Sequence, residues 1–128
     1  MVRVPRQTRV FVVDDEANIA STLATILRIH GFDARFFTEP LQALSAARFE
    51  CPDFLISDVV MPLLSGIDLA IQMQQNCPLC RVLLFSGLAG NSDMFQTARD
   101  SGHAFELLAK PVHQNVLLAR IRKVKGED

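Results

Sequence analysis

Short runs of apolar residues alternate five times with longer segments in which apolar positions recur every three or four residues. The runs are Val10 to Val13, Ala34 to Phe37, Phe54 to Ile56, Val82 to Phe85 and Phe105 to Ala109. Apolar runs this short predict buried strands. In the first intervening segment Ile19, Leu23, Ile26 and Leu27 keep helical spacing, as Leu117, Ile121 and Val124 do in the last. A second helix is expected with Thr38 as N-cap and Pro40 in its first turn, a third and shortest one from about Ile67 to Gln75, and a fourth from Ser92 to Gly102. Five strand–helix units imply parallel strands joined by right-handed crossovers, so the expected fold is α/β: a doubly wound, five-stranded parallel sheet with helices on both faces. In such sheets chemistry gathers at the carboxyl ends of the strands.

The length of 128 residues suits one domain with one sizeable core. Nine Phe and no Trp or Tyr leave packing to aliphatic residues and phenylalanine. Thirteen basic against fourteen acidic residues give a net charge of −1, which argues against direct nucleic-acid binding. No apolar run approaches the roughly 18 residues that span a bilayer, so a membrane partner is not expected and the cytoplasm is the expected location. Cys51, Cys77 and Cys80 are too few for a disulfide framework and fit a reducing compartment. The Cys77-Pro78-Leu79-Cys80 spacing permits redox or metal chemistry. Its place after a helix, however, puts it at the negative end of the dipole, which disfavours a thiolate. Arg120, Arg122, Lys123 and Lys125 read chiefly as a solvated face of the last helix.

The residues that close the strands carry the chemistry. The first strand ends in Asp14-Asp15, the third in Asp58, the fourth in Ser86-Gly87 and the fifth in Lys110-Pro111. Taken singly, each has a plain structural use: a helix N-cap, a strand end, a turn, a solvated lysine. Together on one sheet edge, three carboxylates repel one another unless a cation sits among them, and hard oxygen ligands suit Mg2+. A carboxylate in such a cluster can attack phosphorus, with Asp58 the best candidate nucleophile and Lys110 the neutralising point charge. Ser86 can donate to a phosphoryl oxygen, and Gly87 is expected to leave the approach open.

The acidic pair, the run from Asp58 through Met61-Pro62 to Gly66, Ser86-Gly87 and Lys110-Pro111 resemble the receiver domains of two-component response regulators. The intervals of 43, 28 and 24 residues from Asp15 through Asp58 and Ser86 to Lys110 are similar to that family's spacing. The resemblance covers about Arg9 to Val124, with residues 9–125 as the receiver domain and 1–8 and 126–128 as tails. It implies a flavodoxin-like sheet of strand order 2-1-3-4-5. It also implies that Asp15 ligates Mg2+ with Asp58 and the Val60 carbonyl, while Asp14 holds metal-bound water. Asp58 would take a phosphoryl group from a histidine kinase, a phosphotransfer protein or a small phosphodonor. Ser86 would then shift the surface formed by the fourth helix, fifth strand and fifth helix, and a downstream protein or output domain would read it. A phosphorylation-dependent homodimer fits the same scheme. Such a chain is a signalling switch whose only catalysis is its own phosphorylation and dephosphorylation.

Three departures from the family are visible. Leu107 stands where an aromatic switch residue is usual, with Phe105 two residues earlier on the same strand face as a substitute ring. The segment from Gly102 to Leu107 is one residue longer than the common pattern. Val60 and Leu88 are apolar where polar groups are frequent, and are expected to hinder the attacking water and lengthen the life of the phosphoaspartate. Three other readings compete. An aspartate-nucleophile phosphatase needs a general acid two residues after Asp58, where Val60 stands. An FMN carrier needs a phosphate loop where Asp14-Asp15-Glu16 stands. A degenerate receiver serving purely as a binding module is opposed by the complete acidic set.

Overall fold

Where each strand sits in the sheet is written in its burial. The computed structural model describes residues 7–87, 105–110 and 113–124. Its strands are β1 (Arg9–Val13), β2 (Asp33–Phe37), β3 (Phe54–Asp58), β4 (Arg81–Ser86) and β5 (Glu106–Ala109). All pair in parallel in the order β2-β1-β3-β4-β5. β3, at the centre, is buried at every position and reads as one apolar run ending in Ser57-Asp58. β2 and β5, at the edges, are buried only in part. This is the expected contrast between strands covered on both faces and strands at a rim. β5 begins one residue later than its apolar run, at Glu106 rather than Phe105.

Alternation along the strands feeds two cores. Phe11, Val13, Leu55, Val82 and Leu84 face α2 (Pro40–Ala47) and α3 (Gly66–Asn76). Val10, Val12, Ile56, Leu83 and Phe85 face α1 (Ala17–Ile29) and the last helix, here α4 (Gln114–Val124). α1 buries Ala20, Leu23, Ala24 and Leu27, one stripe of a 3.6-residue period. It ends where Gly31 takes φ +91°, so that Gly31 N donates to Arg28 O and Phe32 N to Leu27 O, closing the orphan carbonyls of the last turn.

Two helix expectations are corrected. α2 is capped by Glu39 rather than Thr38, because Pro40 forces the residue before it out of the helical region: Glu39 is extended at φ −125°, ψ 125°, and its side chain makes no cap bond. α3 has 11 residues and α2 has 8, so α2 is the shorter; the Ser65 hydroxyl accepts from Asp68 N and starts α3 one residue before Ile67. The cysteines also pair differently from the spacing that drew notice. Cys77 is bonded to Cys51, with a Cα–Cα distance of 5.7 Å, and Cys80 is a buried free thiol. The expected helix over 92–102, Leu88, Pro111 and the insertion near Gly102 lie outside the described residues.

Candidate functional site

β1, β3 and β4 run parallel, and each ends within one residue of its neighbour in register, which brings their terminal polar residues to one edge. Asp58 pairs with Phe85, Ser86 with Ala109, and the chain leaving β5 delivers Lys110 alongside. The backbone secures this alignment: Val59 N donates to Phe85 O at 3.1 Å, and Lys110 N to Ser86 O at 3.0 Å.

At that edge Asp14, Asp15 and Asp58 each offer an oxygen, and these oxygens lie within 4.8 Å of one another. Asp14 is fully buried and Asp58 nearly so, while Asp15 faces solvent. Lys110 Nζ donates to Asp58 Oδ2 at 3.0 Å and stands 3.9 Å from Asp14 Oδ2, over the Phe85 ring. Asp14 Oδ1 accepts from Glu16 N at 2.9 Å, taking the first amide of the turn into α1. Its other oxygen, Oδ2, accepts no hydrogen bond from the described residues although it is buried. Burial, with the charges of Asp58 and Asp15, pushes the Asp14 carboxyl up to about 6, against the pull of the Glu16 amide and Lys110. Burial works to lower Lys110, yet the hydrogen bond and charge of Asp58, with Asp14 and Glu16, raise it, so it stays an ammonium.

The arrangement fits a hard divalent cation. Its donors are all oxygen, one of them is buried and unsatisfied, and their mutual repulsion has one ammonium to offset it. The structure thus brings Asp14, Asp15, Asp58 and Lys110 together and places Ser86, buried, one residue beyond the β4 partner of Asp58. Val60 follows with its residue 53% exposed. Leu107 is 49% exposed on β5, whereas Phe105 packs against the core on the α2–α3 side. A Cβ on Gly87 would meet the Lys110 stem at 3.8 Å, an ordinary contact.

Gly66 is a residue whose role the sequence reading left unassigned. A Cβ there would collide with the Asp58 carbonyl, and Gly66 N donates to Val59 O at 2.8 Å, so α3 starts directly against the end of β3. The signal was available in Ser65-Gly66, an N-cap followed by a residue without a side chain.

The response regulator receiver domain family matches residues 10–122. The chain is 32% identical over 116 residues to the DNA-binding response regulator MtrA of Mycolicibacterium paratuberculosis, covering 89% of this chain and 49% of that protein. It is 34% identical over 113 residues to the transcriptional regulatory protein CreB of Escherichia coli, covering 88% and 48%. The chain therefore spans about half the length of these curated relatives. Among solved structures, a response regulator receiver domain protein from Clostridium thermocellum superposes with a TM-score of 0.80 at 30% identity, over 91% of this chain and 92% of that one. The chemotaxis response regulator CheY4 of Vibrio cholerae does so with a TM-score of 0.78 at 26% identity, over 93% and 99%. Among the described residues no helix is long and apolar enough to cross a membrane. Sheet order, the acidic cluster with its lysine, and these relatives agree: the chain belongs to the response regulator receiver domain family of two-component signalling.

Proposed function

We propose that Asp58 is the phosphoacceptor of a switch spanning residues 9–125, with Mg2+ held by Asp14, Asp15, Asp58 and the Val60 carbonyl. The observation that carries this reading is Lys110 Nζ, 3.0 Å from Asp58 Oδ2 and beside two further aspartates. A carboxylate oxygen of Asp58 attacks phosphorus, the bond from phosphorus to the donor's nitrogen or acyl oxygen breaks, and the donor leaves with that electron pair. Bound Mg2+ supplies charge neutralisation for the transferred oxygens. Lys110 holds the attacking carboxylate in place beforehand and receives phosphoryl charge afterwards. The donor is a histidine kinase, a phosphotransfer protein or a small acyl phosphate.

Ser86 closes β4 beside the acceptor, so a hydroxyl drawn to the phosphoryl group pulls on the strand to which β5 is paired. A coupling of about 1–3 kcal/mol is enough to redistribute two arrangements of that face. Leu107, exposed on β5, lacks the ring that would report such a change, and Phe105, already packed, serves in its place. A linked output domain or a separate protein reads the new surface, and a homodimer formed on phosphorylation is one form of that readout. The DNA-binding label of the relatives attaches to proteins about twice this length; contact with nucleic acid, where it occurs, is assigned to an output domain and not to this unit.

Incubation with Mg2+ and acetyl phosphate, followed by intact mass measurement, tests the reading. A gain of one phosphoryl group that Asp58→Asn abolishes supports it; a silent wild-type protein, under acetyl phosphate and a panel of kinases alike, contradicts it.

A further inference from the structure

At the opposite end of the sheet from the acidic cluster, Cys51 lies in the exposed loop that enters β3, and Cys77 caps the C-terminus of α3 with its N–H donating to Met73 O at 2.7 Å. They are 26 positions apart in sequence, yet their Cα atoms lie 5.7 Å apart, inside the range that a disulfide needs. The loop is not adventitiously placed. Arg9 Nη1 donates to Cys51 O at 3.1 Å, Arg9 Nη2 pairs with Glu50 at 2.8 Å, and Arg9 N donates to Asp53 Oδ2 at 2.8 Å. Cys51 is exposed and Cys77 buried, and both line a cleft of about 210 Å³ with Pro52, Pro78 and Leu79, so a small reagent meets Cys51 first.

We propose that Cys51 and Cys77 are a reversible thiol–disulfide modification site, closed by a low-molecular-weight disulfide and reopened by the corresponding thiol. The Cys51 thiolate attacks one sulfur of the reagent and expels a thiolate. Cys77 then attacks Cys51 Sγ, giving up its proton as it does so, and expels the second. Two cysteine protons end on the two released thiols, and two electrons pass from the protein to the reagent. Cys80 takes no part: burial and the nearby Asp53 charge push its thiol up to about 12. The bond has a defined mechanical consequence. β3 runs from the Cys51 loop to Asp58, and α3 runs from Gly66, seated on the Asp58 carbonyl, to Cys77. Closing the bond therefore makes a covalent ring of the β3–α3 unit on which the candidate phosphoacceptor stands.

The test is to equilibrate the protein in buffers of stepped oxidised-to-reduced glutathione ratio, quench, unfold, alkylate and count labels by intact mass. The expected result is three labels in reducing buffer and one in oxidising buffer, reversibly, with Cys51→Ser holding two labels throughout and Cys80→Ser passing from two to none. The oxidised wild type is also expected to melt about 10 °C above the reduced form, a difference absent in Cys51→Ser. Three labels in every buffer, or loss of both labels from Cys51→Ser through a Cys77–Cys80 bond, overturns the proposal. No phosphodonor is present, so this outcome is independent of whether Asp58 is phosphorylated.

Discussion

The two ends of the parallel sheet handle buried charge in opposite ways. At the amino end, Arg9 gives its guanidinium to Glu50 and the Cys51 carbonyl and stands 3.8 Å from Asp33, while its own amide goes to Asp53; one cation is surrounded by acceptors. At the carboxyl end the ratio is inverted: three carboxylates crowd around Lys110, and a buried oxygen of Asp14 has no hydrogen bond from the described residues. The first arrangement pairs its charge and ties the chain together, although the buried Arg9 Nε, 3.8 Å from Asp33 Oδ2, also has no hydrogen bond among the described residues. The second gathers like charges around a buried carboxylate oxygen that a cation would complete, and clustered like charge of this kind marks function more than architecture.

Substitutions at each end sharpen or break that contrast. The largest effect is expected at the amino end. In oxidising buffer Cys51→Ser removes a cross-link closing 26 positions of chain, and chemical denaturation should show a loss of about 3–4 kcal/mol. Gly66→Ala follows, since its methyl group must displace the Asp58 backbone; a loss of about 2–3 kcal/mol is expected by the same measurement. A neutral result there would separate α3 from the end of β3.

The carboxyl end should respond to pH and metal where the amino end does not. Because the Asp14 carboxyl is pushed up from 3.8 to about 6, the folded chain binds this proton more tightly than the unfolded one. In chelator its stabilising contribution is therefore full below the unfolded value of 3.8 and is lost as pH rises through about 6. Mg2+ needs the carboxylate, so its affinity should fall about tenfold per pH unit below about 6. Mg2+-titrated melts across this range check both statements. Asp14→Asn should flatten the chelator profile by about 1–3 kcal/mol at neutral pH and abolish the Mg2+ response. The smallest effect is expected from Glu50→Gln, whose side chain is 60% exposed: about 0.5 kcal/mol by denaturation, diminished by salt.

The carboxyl end was legible in the sequence, and much of the amino end was not. Asp14-Asp15, Asp58, Ser86 and Lys110 each follow an apolar run, and a parallel sheet carries every strand terminus to the same edge, so position along the chain became position in space. That Asp14 would be buried and Asp15 exposed was not legible, since neighbours on an irregular turn obey no fixed period. Cys51–Cys77 was hidden by a gap of 26 positions and by the nearer Cys80, which helix and strand geometry bury instead. Thr38 was misread as a cap because Pro40 keeps Glu39 extended, so the helix cannot begin until the proline itself. Arg9 drew no reading at all, because its partners, Asp33 on β2 and the loop holding Glu50, Cys51 and Asp53, lie far along the chain.

The central claim is that Asp58 accepts the phosphoryl group at a metal-dependent site, and mapping the modification tests it most directly. The protein is treated with acetyl phosphate in Mg2+ or in chelator, then digested with trypsin, which releases the peptide from Phe49 to Arg81. The account predicts one phosphoryl group at Asp58, present with Mg2+ and lost with chelator. A phosphoryl group on Ser86 or elsewhere, or labelling of Asp58 that is indifferent to chelator, would contradict it.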